Sequence, residues 1–287
     1  MTPLAKKRLR KISSHFFVHL TLGLFSLAFL APFLWMLSLS LMTTAETMTV
    51  TNFLTALIPR SWNWGNFVDV TRAIPFFRQL LNSFIVTSLN VVGTIISATI
   101  VAYAFAKLRW PGRKFFFMVL LITMMMPGHV LMVPTYLMYM NLNFINTYIP
   151  LILPAFLGGG AFNVFLFVQF YRSISKELSE AARIDGATHF GIWWKIILPL
   201  CMPAVATVAI FSFMFSWNDF LTPLLYILTA PELHTLPIGL RSFQQARGTD
   251  WNLLMAGSLM ATIPILIIFF AAQKYFVEGI KLSGIKG

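Results

Sequence analysis

The chain alternates between long uncharged apolar stretches and short segments rich in basic residues. Five stretches hold no charged residue, or a single one: 12–45, 79–106, 115–171, 196–231 and 251–273. About 20 apolar residues cross a bilayer as a helix. The 115–171 stretch is too long for one helix, and a polar cluster near its middle predicts a hairpin between two: Asn141, Asn143 and Asn146. The pattern therefore predicts six spans, near residues 16–38, 81–105, 115–139, 148–170, 201–228 and 253–273.

Composition places these helices in a membrane. Apolar residues make up 58% of the chain, charged residues 10%, and the mean hydropathy is +0.78. A soluble domain carries about 25% charged residues, so this chain cannot cover a water-facing surface. A soluble enzyme, a disordered protein and a disulfide scaffold are excluded, and the continuous apolar runs exclude a β-barrel. We expect an all-α membrane protein with one transmembrane domain over residues 1–287.

Basic residues in the predicted loops set the orientation. With six spans, sixteen of the 21 Lys and Arg residues fall on the side of the two termini, and five fall on the other side. The positive-inside rule therefore predicts cytoplasmic termini and a cytoplasmic 171–200 loop. The net charge of +12 reflects these loops and does not indicate nucleic acid. The first apolar run is longer than a signal peptide core and no A-x-A site follows, so we expect it to be retained.

Sequence motifs of enzymes and metal sites are absent. The chain has no Walker lysine loop, HExxH, GxSxG or Cys/His metal spacing. The Gly158–Gly160 run lies inside the fourth predicted span, where close packing or a kink explains it. Ion-coupled carriers often need several intramembrane acids or bases, and Asp219 is the one clear candidate here. This argues for an external source of energy.

The 172–200 segment carries the strongest functional signal. Ser175 can cap a helix with Glu177 in its acidic first turn. Helix formers follow, and Gly186 is suited to end the helix in a left-handed conformation. The segment predicts a helix of about two or three turns in a cytoplasmic loop. Small alanines would permit close approach by another protein, with three charged residues around them: Glu180, Arg183 and Asp185.

This loop resembles the EAA signature of ABC importer membrane subunits, E-A-A-x3-G-x9-I-x-L-P. Every fixed position is met, from Glu180-Ala181-Ala182 through Gly186 to residues 196–199. Leu81-Asn82-Ser83 is similar to the family's LxNS entry. Two further segments resemble motifs of the carbohydrate branch of this family: Trp217-Asn218-Asp219-Phe220, and the tail at residues 276–280 and 284–287. The match spans residues from about 80 to 287, and the first 80 agree in topology more than in motif.

The resemblance implies a type I ABC importer permease fold, maltose-permease-like, in a bacterial inner membrane. It places a coupling helix against a cytoplasmic ATPase dimer, with the interface formed by Glu180, Ala181, Ala182, Asp185 and Gly186. Arg183 would pair with the ATPase or with an anionic lipid headgroup, and residues 278–287 form a weaker contact candidate. The other implied partners are a second homologous permease subunit and an extracytoplasmic solute-binding protein. No cofactor is expected in this chain, since ATP and Mg would be bound by the partner ATPase.

Three residues near the outer end of the fifth predicted span are candidates for the substrate pathway: Trp217, Asn218 and Asp219. A charge at that depth must face the bundle interior, water or a partner. Asp219 could line a pathway or gate, with Asn218 donating hydrogen bonds to sugar hydroxyls and Trp217 stacking on the ring. Alternatively, Asp219 could form an interhelix hydrogen bond and Trp217 could simply pack.

Two other classes of protein compete with the importer hypothesis. A self-contained ion-coupled secondary transporter would need its own ion pathway and leaves the EAA spacing unexplained. A membrane scaffold for a cytoplasmic enzyme explains the loop but not the polar residues inside the bundle. Within the importer class the span-five and tail motifs favour a sugar or oligosaccharide. A polyol phosphate and an anionic oligosaccharide remain open.

Overall fold

The computed structural model describes the backbone of residues 3–245 and 248–283. Side chains are described from residue 15 onward, except residues 53–54, 245–247, 272 and 274–287. The end of the tail motif, residues 284–287, therefore lies outside the described residues. So do the side chains of the 278–287 contact candidate and of the N-terminal basic cluster.

The described chain is almost wholly helical. Its first eight α-helices are α1 (Pro3–Leu41), α2 (Thr44–Thr49), α3 (Phe53–Ala56), α4 (Gly65–Ala73), α5 (Phe76–Lys107), α6 (Arg113–Thr123), α7 (Gly128–Asn141) and α8 (Ile149–Phe156). The other eight are α9 (Ala161–Ser173), α10 (Lys176–Ile184), α11 (His189–Ile192), α12 (Leu198–Leu200), α13 (Met202–Trp217), α14 (Leu221–Ile227), α15 (Leu236–Arg241) and α16 (Trp251–Ser283). A π-helical turn (Trp193–Ile197), a 3₁₀ turn (Pro231–Leu233) and two short antiparallel strands, β1 (Gln244–Gln245) and β2 (Gly248–Thr249), complete the elements.

Four helical segments are long and apolar enough to cross a membrane: His15–Leu41, Phe76–Lys107, Ile149–Ser173 and Trp251–Ala271. Two bent pairs also qualify: Arg113–Thr123 with Gly128–Asn141, and His189–Leu200 with Met202–Trp217. The six predicted spans are matched in number when each bent pair is taken as one span.

The bends lie at prolines. α6 and α7 meet at 99° across residues 124–127. Pro127 has no N–H and restricts the residue before it, so a continuous helix is disfavoured there. The second pair bends by 81° at Cys201. Pro203 cannot donate to the carbonyl of Pro199, four residues earlier, and its ring crowds that group. The helix then ends at Trp217, before the predicted limit at residue 228, and resumes as α14.

The chain divides into two compact units, and the first holds residues 1–74 and 240–261. Its centre is a buried amide network. The side-chain amide of Asn66 donates to the carbonyls of Ser40 at 2.7 Å and Met42 at 2.8 Å. Asn252 donates in turn to the side-chain oxygen of Asn66 at 3.1 Å. Such a satisfied network fixes α4 against the end of α1, because an unpaired buried amide is costly.

The start of α2 is held by a capping arrangement. Thr43 Oγ1 accepts from the Glu46 backbone N–H at 3.3 Å. The Glu46 carboxylate accepts from the Arg60 backbone N–H and from the Ser61 hydroxyl, each at 2.6 Å. Partial burial alone would raise the pKa of Glu46, but these hydrogen bonds together hold it below its usual value. The stability they supply is therefore present near neutral pH and is lost as the pH falls through that lowered pKa.

The second unit holds residues 75–239 and 262–287, and α5 is its central helix. α5 packs against α8, α9 and α13. Small residues on α5 let these helices approach closely. Ser97 Oγ donates to the carbonyls of Gly93 at 2.7 Å and Ala155 at 2.6 Å. The main core cluster includes Ala98, Ala102, Phe167, Val168, Tyr171, Ile192 and Ala204. Cys201, the single cysteine of the chain, is buried and free.

Candidate functional site

The predicted cytoplasmic-loop helix is α10, and its ends are formed as expected. Ser175 caps it, with Oγ accepting from the Glu177 backbone N–H at 3.2 Å. Gly186 follows the helix at φ +78°, a conformation that glycine adopts without a steric cost. The Ala187 backbone N–H donates back to the Ala182 carbonyl at 2.9 Å, which closes the turn. Both predicted helix signals are confirmed.

One face of α10 lies on the protein and the other is open. Ala182 is 7% exposed and belongs to the main core cluster. The remaining signature residues of the segment are exposed: Glu180, Ala181, Arg183, Asp185 and Gly186. An alanine at the buried position lets the backbone of α10 approach the core closely. The sequence reasoning placed Ala182 at the partner interface, whereas the structure buries its side chain within this chain.

Three apolar side chains of this loop were missed by the sequence reasoning. Leu178 is 47% exposed, Ile184 is 87% exposed and Phe190 is 67% exposed. Exposed apolar groups among charged ones are typical of protein contact surfaces. The signal for Leu178 and Ile184 was a leucine and an isoleucine on a nine-residue helix with four charged residues, whereas Phe190 follows on α11. The open face therefore combines apolar anchors with the charges of the signature.

A continuous helical segment connects this loop to the bundle. Thr188 Oγ1 accepts from the Gly191 backbone N–H at 3.1 Å and starts α11. α11 runs through the π-helical turn into α12, and Ile192, Trp193 and Ile197 are buried along it. The bend at Cys201 then leads into α13. Beyond the turn at residues 185–188, α10 is thus connected to α13 through helical turns whose side chains pack in the core.

The Trp217-Asn218-Asp219 segment forms the break between α13 and α14. Trp217 is 4% exposed and stacks on Phe213 at 5.3 Å between ring centroids. The Asn218 side-chain amide donates to the Met214 carbonyl at 2.8 Å. Asp219 Oδ1 accepts from the Thr222 backbone N–H at 3.1 Å. These contacts all lie within the same segment of chain, so the structure places the three residues in a helix break.

Asp219 also borders a very small cavity of about 20 Å³, together with Ser83, Asn90 and Thr235. The Thr235 hydroxyl has no hydrogen-bond partner in the described chain, whereas other polar side chains nearby bond to backbone groups. Ser83 Oγ accepts from the Leu236 backbone N–H at 2.8 Å. Asn82, from the predicted LxNS entry, donates to the carbonyls of Glu232 and His234 at 2.9 and 3.0 Å. The LxNS residues thus tie the start of α5 to the 231–236 segment.

A larger cavity of about 410 Å³ lies among α5, α9 and α13. Its polar lining residues are Asn90, Thr94, Asn163 and Ser212, and its aromatic ones are Phe162, Phe211 and Phe215. Ser212 Oγ is buried without a hydrogen-bond partner in the described chain. Hydroxyl and amide groups beside aromatic rings can bind a sugar by hydrogen bonds and stacking. The sequence reasoning missed this group, whose signal was polar residues inside otherwise apolar spans.

Within the part of the chain that the structure describes, no group of three or more His, Cys, Asp or Glu side chains could hold a metal ion. The charged residues instead gather at the ends of the spans and on α10.

Comparison with known proteins gives consistent matches over most of the chain. Residues 95–282 match the family model described as "Binding-protein-dependent transport system inner membrane component". The arabinooligosaccharides transport system permease protein AraQ of Halalkalibacterium halodurans is 38% identical over 272 residues, covering 93% of this chain and 96% of that protein. The sn-glycerol-3-phosphate transport system permease protein UgpE of Yersinia pestis is 36% identical over 232 residues, covering 78% and 82% respectively.

A solved structure gives the same result for the fold. It is described as a bacterial ABC transporter involved in the import of the acidic polysaccharide alginate, and it matches with a TM-score of 0.77 at 27% sequence identity. The match covers 94% of this chain and 98% of that chain. The likeness therefore includes most of the first 80 residues, where the sequence motifs were sparse.

Proposed function

Because this chain belongs to the family of binding-protein-dependent transport system inner membrane components, we propose that it forms half of the pathway of an importer for a sugar or oligosaccharide. The chain is a multi-pass permease subunit with the type I ABC importer permease fold. Membership of this family excludes the two competing hypotheses, an ion-coupled secondary transporter and a membrane scaffold. ATP and Mg are assigned to a partner ATPase dimer, and this chain is assigned no catalytic step.

One observation carries the coupling assignment: a capped helix displays Glu180 and Ala181 of the EAA signature on an open face. Glu180, Arg183 and Asp185 supply charge there, and Leu178 and Ile184 supply apolar anchors. The opposite face is anchored in the core through Ala182. Closure of the ATPase dimer displaces α10, and the helical segment through Cys201 carries that displacement to α13. The spans then shift between outward-open and inward-open arrangements. Nucleotide and substrate can drive this shift only if they bind the two arrangements with different affinities.

Both termini and the coupling loop are assigned to the cytoplasm, which the sixteen-to-five asymmetry of basic residues supports. The opposite side then faces a solute-binding protein, with the Trp62 and Trp64 segment exposed for membrane or protein contact. A second, homologous permease subunit completes the pathway. The sugar class is supported by the arabinooligosaccharide relative and by the alginate importer.

The cavity lined by Asn90, Thr94, Asn163 and Ser212 is our main candidate for the passage of sugar hydroxyls. Trp217, Asn218 and Asp219 are assigned to the neighbouring helix break, which adjusts the outer part of the pathway. A buried hydroxyl without a partner, as at Ser212, is the kind of group that a passing hydroxyl can satisfy.

Gentle extraction of the tagged chain from its native membrane tests the assembly. We expect a soluble ATPase and a second multi-span subunit to co-purify, and substrate with its binding protein to stimulate ATP hydrolysis. Recovery of the chain alone, also after crosslinking before extraction, would contradict the proposed assembly. ATPase activity that responds to an unrelated solute but to no sugar would contradict the substrate class only.

Paired substitutions at Asp219 separate a structural role from a transport role. Asparagine keeps the oxygen that accepts from Thr222 and is an equally good cap, so Asp219→Asn should preserve assembly. Asp219→Ala removes that acceptor and should destabilise the protein by about 1 kcal/mol. If the negative charge of Asp219 is needed for substrate to pass, the transport rate of Asp219→Asn should fall several-fold although the complex assembles normally. Normal transport in that variant would leave Asp219 with a capping role alone.

A further inference from the structure

A second cavity, of about 770 Å³, lies where the end of α5 meets α10 and α11. Four of its lining side chains are cationic: Lys107, Arg109, Lys176 and Arg183. The other lining groups include the imidazole of His189 and one carboxylate, Glu180. Tyr103, Trp110 and Ile192 contribute the less polar wall. We refer to it as the basic cavity.

The positive charge of the basic cavity is not neutralised within the described chain. Asp69–Arg72, elsewhere in the protein, is the one ion pair within 4.0 Å among the described residues. The Lys107 ammonium donates to the Ile174 carbonyl at 2.8 Å, so the fold holds that charge in place. Lys176 acts on Lys107 as a like charge. Four cations against the single Glu180 carboxylate leave a net positive charge in the cavity, and a bound anion relieves the remaining repulsion.

The basic cavity lies at the level where two spans end on the same side. Lys107 is the last residue of α5, and Ser173 is the last residue of α9. The Lys107–Ile174 hydrogen bond joins these two ends directly. Trp110 follows within three residues, and its indole N–H donates to the Ala104 carbonyl at 3.2 Å. Tryptophan and lysine at a span end are typical of the lipid headgroup region.

We propose that the basic cavity binds a phosphate group, carried by an acidic phospholipid headgroup or by a soluble phosphate. An arginine guanidinium can bind two phosphate oxygens at once, and lysine ammonium groups add charge around them. The cavity volume falls within the range of small-molecule sites and exceeds what a bare ion needs. Basic pockets between membrane helices on the cytoplasmic side are known sites for anionic headgroups.

The bound phosphate would bridge the bundle and the coupling helix. Arg109 follows α5, whereas Lys176 is the first residue of α10. An anion held between them fixes the distance between these two elements. This inference rests on the proposed position of the chain in the membrane, but it does not depend on contact between α10 and an ATPase. Phosphate binding and ATPase recovery are therefore measured separately.

The test uses the complete complex, purified and reconstituted into nanodiscs of phosphatidylcholine with or without phosphatidylglycerol. Native mass spectrometry counts retained phosphatidylglycerol, and thermal unfolding reports stabilisation. Inorganic phosphate is titrated into the phosphatidylcholine sample. The variants are Arg109→Gln and Lys176→Gln. Lys195→Gln is the matched control, because Lys195 is an exposed cation of the same loop that does not line the cavity.

If the headgroup is the source, the wild type retains phosphatidylglycerol and is stabilised by it. Each cavity variant then binds it about fivefold more weakly, the usual contribution of one cation at a membrane surface. If the source is soluble, inorganic phosphate stabilises the wild type in phosphatidylcholine, and the cavity variants lose that effect. No response to either probe would overturn the proposal. So would an equal loss in Lys195→Gln, since general surface charge would then explain the binding. Unchanged ATPase recovery in the cavity variants keeps the result separate from coupling.

Discussion

Glu180→Lys is expected to abolish transport and to weaken recovery of the partner ATPase, while the spans remain folded. Glu180 is exposed on α10, where substitutions change stability by about 0.5 kcal/mol, and the lysine also adds a fifth cation to the basic cavity, so we expect a loss of about 1 kcal/mol that leaves the spans folded. At an interface the same replacement turns an attractive charge into a repulsive one. Such changes at contact residues cost about 2 kcal/mol or more, equivalent to about thirtyfold in affinity.

The measurement is co-purification of the ATPase together with substrate uptake, with thermal unfolding as the test of folding. Glu180→Gln separates the loss of a charge from its reversal and should have a smaller effect. Asp69→Lys is the matched control, because it makes the same charge reversal on α4, in a segment assigned to the opposite side of the membrane. Normal uptake and normal ATPase recovery in Glu180→Lys would contradict the interface assignment.

Gly159→Ala should strongly destabilise the second unit, through both its backbone and its packing. Gly159 has φ +67°, in the left-handed region that costs an alanine about 1–2 kcal/mol. A Cβ built there lies 2.6 Å from the Thr94 carbonyl oxygen and 2.8 Å from both Ala98 Cβ and Ser97 Oγ. These atoms belong to α5 and cannot move without shifting the central helix. Overpacking of this kind adds about 1–3 kcal/mol.

Two other glycines separate the causes. Gly186 has φ +78°, close to the same left-handed region, and open space around a built Cβ, so Gly186→Ala carries the backbone cost alone. Gly128 has neither a positive φ nor a neighbour within 4 Å, and Gly128→Ala should be close to neutral. Thermal unfolding of the purified variants should rank them with Gly159→Ala least stable. Equal midpoints for Gly186→Ala and Gly159→Ala would show that the contact with α5 is unimportant.

Local signals in the sequence were sufficient to predict α10 and both of its ends. Ser175, Glu177 and Gly186 act through hydrogen bonds and φ values within a few residues, so their roles can be predicted without knowledge of the fold. The structure has the cap at Ser175 and the left-handed turn at Gly186. The inward face of the same helix was predicted less well. Which side of α10 meets the core depends on residues far away in the chain, and that is why Ala182 was assigned to the partner.

The candidate pathway could not be assembled from the sequence. Asn90, Asn163 and Ser212 come from three different helices, and each looks like an isolated polar residue within its own apolar run. The basic cavity could not be predicted for the same reason: Arg109 and Lys176 line it together, but the whole of the third and fourth spans separates them in sequence. Asp219 is a pathway candidate in the sequence because it is a charged residue in an apolar stretch. Its oxygen nonetheless accepts from a backbone N–H three residues away.

Hydropathy, loop charge and one spaced motif thus determined that this is a helical membrane protein, that a capped helix lies in its 172–200 loop, and to which family it belongs. Those properties follow from the cost of placing charge in hydrocarbon and from short-range backbone chemistry, both of which can be evaluated along the chain. The burial of Ala182 and the two polar cavities were decided by the tertiary structure alone. They depend on which helices pack together, and packing joins residues whose separation in sequence carries no signal of their contact.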